Sequence, residues 1–214
     1  IFAKHWRRRT LDLDDGFLQK AVAEVNPPAG GSLLDRFLVV NRDFRKQNNH
    51  TLSELRLKTS AEFLWQQPFH QLANSQVEAH FADIRTYRYG GKDVDQQVHL
   101  GFDLSKTKEA PVEAANRGKV VHAGRLGMYG NCVVIDHGYG LQSIHGHMSR
   151  IEAKEGQIVE AGAELGRSGE TGLAGGDHLH FSMQLDGTQV NPVEWWDPKW
   201  IREHVHEPLG MAEA

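Results

Sequence analysis

The chain holds a single cysteine, Cys132, so no intrachain disulfide can staple its fold. That thiol lies in the apolar run Cys132-Val133-Val134-Ile135, where a buried structural role is expected. Exported proteins also do without disulfides, so the compartment stays open on this ground. No apolar run approaches the roughly 18 residues of a membrane-spanning helix. The opening stretch Ile1 to Arg9 does not begin with Met and has neither the apolar centre nor the cleavage pattern of a secretory leader. The expectation is a processed chain or a segment of a longer protein, with any anchor or export signal outside it. A basic excess is missing too: 24 Lys and Arg stand against 28 Asp and Glu, for a formal charge of −4. Without a broad cationic field, nucleic acid is not an expected partner. At 214 residues and 39% hydrophobic content, the chain can bury one sizeable core and an accessory segment.

What is present changes texture near residue 76. Residues 1–76 have few glycines, many Leu, Arg and Gln, and helix-period segments, and read as a helical N-terminal extension. Asp14-Asp15-Gly16 opens a helix to about Val25, stopped by Asn26-Pro27-Pro28. Trp65, Pro68 and Phe69 read as an apolar clasp holding this extension against the next domain. From 77 to 198 the pattern turns to short β-rich runs punctuated by glycine. Lys119–Ala123, Asn131–Asp136 and Gly140–His145 read as strands, the last two joined through His137-Gly138-Tyr139-Gly140 as a hairpin. Further runs at 157–159, 164–166 and 178–184 complete a mostly antiparallel sheet system, so the fold class is α+β. Pro192 to about His206 carries Trp195, Trp196 and Trp200 and a short helix, with residues 199–214 as a C-terminal tail.

Two histidine motifs carry the chemistry: His99-Leu100-Gly101-Phe102-Asp103 and His178-Leu179-His180. Together they supply the nitrogen and oxygen donors of a catalytic zinc site with an imidazole to spare. In a strand, side chains at i and i+2 share a face about 6–7 Å apart. One of His178 and His180 can therefore ligate while the other stands beside the open coordination position. For His99 and Asp103 the straight-strand separation is about 13 Å, too far to share a metal. The chain must turn between them, and Gly101 is the residue expected to permit it. Each motif alone arises easily by chance among 13 histidines, and His204-Val205-His206 is read as such a case. A third motif, His145-Gly146-His147-Met148-Ser149, lies between the two. His122 and His137 read as structural, and Tyr87 and Tyr89 either as packed or exposed strand aromatics or as phenols able to reach a substrate oxyanion.

With these motifs in order, the sequence resembles the lysostaphin-type zinc metallopeptidases that cleave cell-wall peptidoglycan. The resemblance runs over roughly 77–198 and is carried by HLGFD (99–103), APVEAANRGKVVHAG (110–124), GNCVVIDHGYGLQSIHGHMS (130–149), GETGLAGGDHLHF (169–181) and VNP (190–192). It implies a duplicated hybrid-motif fold and one Zn²⁺ held by His99, Asp103 and His180. His147 and His178 would flank the fourth position as acid–base catalysts for a metal-activated water. It further implies an endopeptidase acting on peptidoglycan peptides in the cell envelope, expected to be periplasmic. His145 departs from the pattern, since the family usually has an aromatic, often tyrosine, there; it either adds a proton donor or fills that volume.

Two rival readings use the same segments. Residues 111–120 and 156–162 also resemble the repeated hybrid motif of biotinyl, lipoyl and phosphotransferase carriers, but the modified lysine tip is missing. The other is a non-catalytic or latent envelope module that binds cell wall or regulates another hydrolase. In its latent form, His50, His70 or His80 of the extension would cap the metal.

Overall fold

The computed structural model describes residues 6–211. It opens with strand β1 (Arg8–Leu13), after which Asp14 caps α1 (Asp15–Val25) by accepting the Phe17 N–H at 2.7 Å. Asn26, left-handed at φ 51°, ends that helix as its Asn-Pro-Pro signal requires. Ser32 and Asp35 form a reciprocal capping box at the start of α2 (Leu33–Val39). One π-turn, Val40–Phe44, joins it to α3 (Arg45–Glu54).

The strands come next: β2 (Gln76–Ala79), β3 (Ile84–Tyr89), β4 (Lys92–Val98), β5 (Phe102–Ser105), β6 (Pro111–Glu113), β7 (Gly118–Arg125), β8 (Asn131–Gly138), β9 (Leu141–Met148), β10 (Arg150–Ile151), β11 (Ile158–Val159), β12 (Glu164–Arg167), β13 (Leu179–Leu185) and β14 (Thr188–Val190), before α4 (Pro192–Trp196) and α5 (Pro198–Ile201). The principal sheet runs β11-β7-β8-β9-β13-β5-β2, with β14 on β13. Two smaller sheets run β10-β12-β6 and β1-β3-β4. Every strand pair is antiparallel except β1 on β3, so the expected α+β class with a mostly antiparallel sheet is what the chain adopts.

Alternation along the principal strands buries both faces. One face carries Phe102, Leu104, Val133, Ile135, Phe181 and Met183 into a core shared with the β10-β12-β6 sheet. Trp65 and Phe69 close it against Trp195, with ring centroids 6.0 and 5.9 Å from that indole, which is the expected clasp. The opposite face presents Cys132, Val134 and Ile144 to Leu52 and Leu55 of the extension. Burial pushes the Cys132 thiol up to about 12, which makes it inert. A third core packs Leu18 and Val22 of α1 and Phe37 of α2 on Tyr87 of β3.

Two buried glutamines fasten the extension to the sheet. Gln142 on β9 donates to Leu55 O at 2.9 Å, and Gln184 on β13 donates to Leu52 O at 2.9 Å and to Gln142 Oε1 at 2.6 Å. Gln184→Leu would leave Gln142 Oε1 buried without a donor and Leu52 O with only the Leu55 N–H, at a cost of about 1–3 kcal/mol. Urea unfolding is the check: an unchanged midpoint would show that these bonds contribute nothing net.

His137 is buried on β8, its Nδ1–H donating to Arg117 O and its Nε2 accepting from the Ser143 hydroxyl, both at 2.8 Å. Burial pushes its pKa from 6.5 down to about 3. The fold therefore holds this ring neutral, and the stability it contributes is complete above about pH 6.5 and lost as pH falls toward 3. The total is on the order of 5 kcal/mol, at about 1.4 kcal/mol per pKa unit. His137→Gln is expected to shallow the acid limb of stability between pH 6.5 and 4. Parallel limbs for the two proteins would remove His137 as a cause.

Candidate metal centre

Three strands and one irregular turn converge on the site. Asp103 on β5 and His180 on β13 are direct cross-strand partners, so their side chains share one face of the sheet. His99 lies just past β4, where the chain bends into β5, and is held by its backbone: its N–H donates to Asp83 O at 2.9 Å, and its carbonyl accepts from Ala82 N at 2.7 Å. The turn expected between His99 and Asp103 is present. Gly101 is needed there for a different reason than backbone freedom: a Cβ would stand 2.6 Å from Phe181 O and 2.7 Å from His180 Cε1. The glycine lets the first motif lie directly against the second.

His99 Nε2, Asp103 Oδ1 and His180 Nδ1 lie 3.0, 3.0 and 3.1 Å from one another, and all three residues are buried. Bonds of about 2.0–2.1 Å at tetrahedral angles would separate such donors by about 3.3 Å. The His99 Nδ1–H is spent on His80 O at 3.0 Å, which turns an Nε2 lone pair toward the other two donors. Three acceptors facing one point at this spacing fit a cation. The second oxygen of Asp103 accepts from Arg85 Nη2 at 2.5 Å, leaving Oδ1 for the centre. Burial would raise the Asp103 carboxyl, but the imidazoles of His99, His178 and His180 hold it well below the usual carboxylate range. His180, by contrast, is pushed down to about 4 by burial, against the opposing pull of Asp103.

His147 and His178 complete the group, their ring centroids 4.9 Å apart. Thr171 O accepts the His147 Nδ1–H and Gly176 O the His178 Nδ1–H, both at 2.8 Å. Each ring thus keeps Nε2 for the cavity, and that of His178 lies 3.5 Å from Asp103 Oδ1. Burial, with His178 and His180 close by, sets the His147 pKa well below 6.5. Burial lowers His178 too, but the hydrogen bond and charge of Asp103 outweigh it and raise that pKa.

How His147 reaches the site is a matter of backbone. His145 and Phe181 are cross-strand partners, as are Gly146 and His180. His145 therefore points away from the site into the core, its ring 5.3 Å from that of Phe181 and both ring nitrogens without partners. Strict alternation would send His147 the same way. Instead the β8–β9 register slips between Asn131/Met148 and Val133/His145, and His147 sits in that bulge at φ 63°. A bulge re-aims a side chain to the other face, and here it delivers His147 to the metal donors. Of the two readings of His145, the structure supports filling: burial pushes it down to about 4, away from the cavity.

Other expectations land elsewhere. Tyr87 lines the cavity, but Tyr89, one strand repeat on, does not, and its hydroxyl donates to Asp15 at 2.6 Å. The phenol beside His180 is Tyr129, at 5.5 Å between rings, which the sequence did not single out. His122 lies 3.6 Å from Glu155, and His204 and His206 lie against Trp200 and Trp65. Among the described residues, no candidate cap joins the metal donors: the His80 ring pairs with Arg7, His70 lines a small separate cavity beside His145, and His50 lies exposed on α3. Arg85 is the important omission. Its position two residues before Tyr87 on one strand was the signal that placed it on the same face.

The centre opens on a cavity of about 560 Å³ lined by His99, Asp103, His147, His178, His180 and residues of the N-terminal sheet. A buried pair of imidazoles and a carboxylate, flanked by two further imidazoles at the head of such a cavity, is a donor set of the kind from which catalytic zinc sites are built. Residues 97–192 match peptidase family M23, as the resemblance carried by the histidine motifs implied. M23 peptidases are zinc-dependent, and this donor set fits one Zn²⁺. The DD-carboxypeptidase/endopeptidase Mpg of Neisseria meningitidis is 37% identical over 97 residues, 45% of this chain and 22% of that protein. The chain thus spans about a fifth of that relative's length. A solved zinc-containing peptidase from Vibrio cholerae shares 28% identity at a TM-score of 0.51, over 63% of this chain and 40% of that one. A solved M23 peptidase from Pseudomonas aeruginosa shares 25% identity at a TM-score of 0.53, over 73% and 60%.

Proposed function

We propose that the chain is a zinc peptidase that hydrolyses peptide bonds in peptidoglycan cross-links, acting in the cell envelope and expected in the periplasm. The observation that carries this is the triangle of His99 Nε2, Asp103 Oδ1 and His180 Nδ1 at 3.0–3.1 Å, with the free Nε2 atoms of His147 and His178 beside it. His99, Asp103 and His180 hold the metal. Bound there, Zn²⁺ supplies Lewis acidity that polarises the scissile carbonyl and lowers the pKa of a water toward about 7.

The chain's own groups do the rest. Arg85 fixes the Asp103 carboxylate through Oδ2, so the ligand cannot rotate away. Thr171 and Gly176 carbonyls fix both flanking histidines as Nδ1–H tautomers, leaving Nε2 in each to take or give a proton. One imidazole accepts the proton of the attacking water and the other protonates the leaving amine, exchanging a proton over a span set by their 4.9 Å ring separation. Met128, Tyr129 and Leu173 supply apolar surface that keeps bulk water from the reacting atoms.

The test is digestion of purified peptidoglycan by the zinc-loaded chain, with product masses read out and zinc content measured alongside. Products shortened at a stem or cross-bridge peptide bond are expected. Stoichiometric zinc with intact peptidoglycan would instead favour the non-catalytic module.

A further inference from the structure

The N-terminal sheet and α3 contribute one whole wall of the cavity; of its two arginines without a carboxylate partner among the described residues, Arg9 is exposed at the rim on the Glu78 carbonyl and Arg45 is half-buried. Arg45, half-buried at the start of α3, lines the cavity. Its Nε donates to Asn41 O at 3.0 Å, its Nη2 donates to Asn41 Oδ1 at 2.6 Å, and Nη2 approaches the Tyr87 hydroxyl at 3.5 Å. All these partners are neutral, and among the described residues no carboxylate lies within ion-pair distance. The contrast is with Arg42 and Arg85 nearby, which pair with Asp95 and Asp103. Asn41 is fully buried and in turn donates to Asp95 at 2.7 Å, so the guanidinium is held in a fixed direction. It comes directly after the π-turn Val40–Phe44, a distortion frequent at functional sites. One turn on, Asn49 also lines the cavity; its Oδ1 accepts from Tyr129 at 2.8 Å, which leaves its amide hydrogens to donate.

We propose that Arg45, with Tyr87 and Asn49 beside it, binds a carboxylate of the peptide substrate, a reading that rests on the peptidase function above. A guanidinium presents a rigid fork that matches a carboxylate, and partial burial strengthens the pairing. The cavity also carries Asp12, Asp14 and Glu78, but all three are exposed at its rim, where solvent screens them. Position sets which carboxylate is read. Arg85, on Asp103, and Tyr87, beside Arg45, share one face of β3 about 6–7 Å apart. Arg45 and the metal donors line one cavity, so the carboxylate belongs to a residue near the scissile bond, either as a C-terminal α-carboxylate or as an acidic side chain.

Binding of stem-peptide analogues to metal-free protein tests this without hydrolysis and without a metal to attract the anion. One pair differs in a C-terminal acid against its carboxamide, a second in an internal Glu against Gln. Wild type is expected to favour the acid of one pair by about 10–100-fold, and the pair that discriminates identifies the source. Arg45→Gln should abolish that preference and Arg45→Lys should retain part of it, with melting temperatures showing that both variants fold. Equal affinity for acid and amide in both pairs, or a preference that survives Arg45→Gln, overturns the proposal. Intact acid preference in a protein that cleaves nothing when zinc-loaded would instead sink the peptidase reading and leave the carboxylate site standing.

Discussion

His180→Ala is expected to yield a folded protein that neither retains zinc nor cleaves peptidoglycan. His180 Nδ1 is one corner of the donor triangle, 3.0 Å from Asp103 Oδ1 and 3.1 Å from His99 Nε2. Without it, two donors remain where a catalytic zinc site uses three. Lewis-acid stabilisation is worth several kcal/mol of barrier, so hydrolysis should fall by about a thousand-fold or more. The backbone has little reason to respond: residue 180 is paired on both sides, with Asp103 of β5 and Gly146 of β9. Zinc stoichiometry, circular dichroism and product masses together decide it. Undiminished cleavage in this variant would overturn the metal assignment.

The second large effect separates chemistry from metal binding. His147→Asn should keep full zinc and lose about 10²–10⁴-fold in kcat, the usual worth of a positioned acid or base. Asparagine is the informative replacement because it tolerates the left-handed backbone that residue 147 adopts at φ 63°. The bulge is preserved and only the ring nitrogen is lost. Cleavage within a few-fold of wild type would mean that His147 orients its neighbours and moves no proton.

Much of this architecture is legible from local pattern. The α1 start at Asp14-Asp15, its stop at Asn26-Pro27-Pro28 and the β8–β9 hairpin through Tyr139-Gly140 all depend on residues adjacent in sequence. The metal donors are legible as a set because two short motifs each carry their own geometry. Strand β1 is not: Arg8-Arg9-Thr10-Leu11-Asp12-Leu13 is charged and lies at a sheet edge, and its partner Ile84–Tyr89 is more than seventy residues away. His145 and His147 defeat the pattern more sharply. Their spacing equals that of His178 and His180, yet one slip of register puts them on opposite faces, and no composition rule reports a register slip. Arg45 looks like any charged helix residue until Tyr87 and the cavity are seen beside it.

The cavity is assembled from two stretches of chain that do not overlap. Its metal donors and flanking imidazoles fall between His99 and His180, inside the family match, whereas Arg9, Leu11, Arg45, Asn49, Arg85 and Tyr87 all precede it. The portion that carries the donors and the portion that walls the cavity are thus distinct segments of chain. Mutation upstream of residue 97 can reshape the cavity with the donors left in place, provided it spares the residues that hold them, Arg85 on Asp103 and His80 and Asp83 on His99. An excised 97–192 fragment would keep its donors and lose that wall.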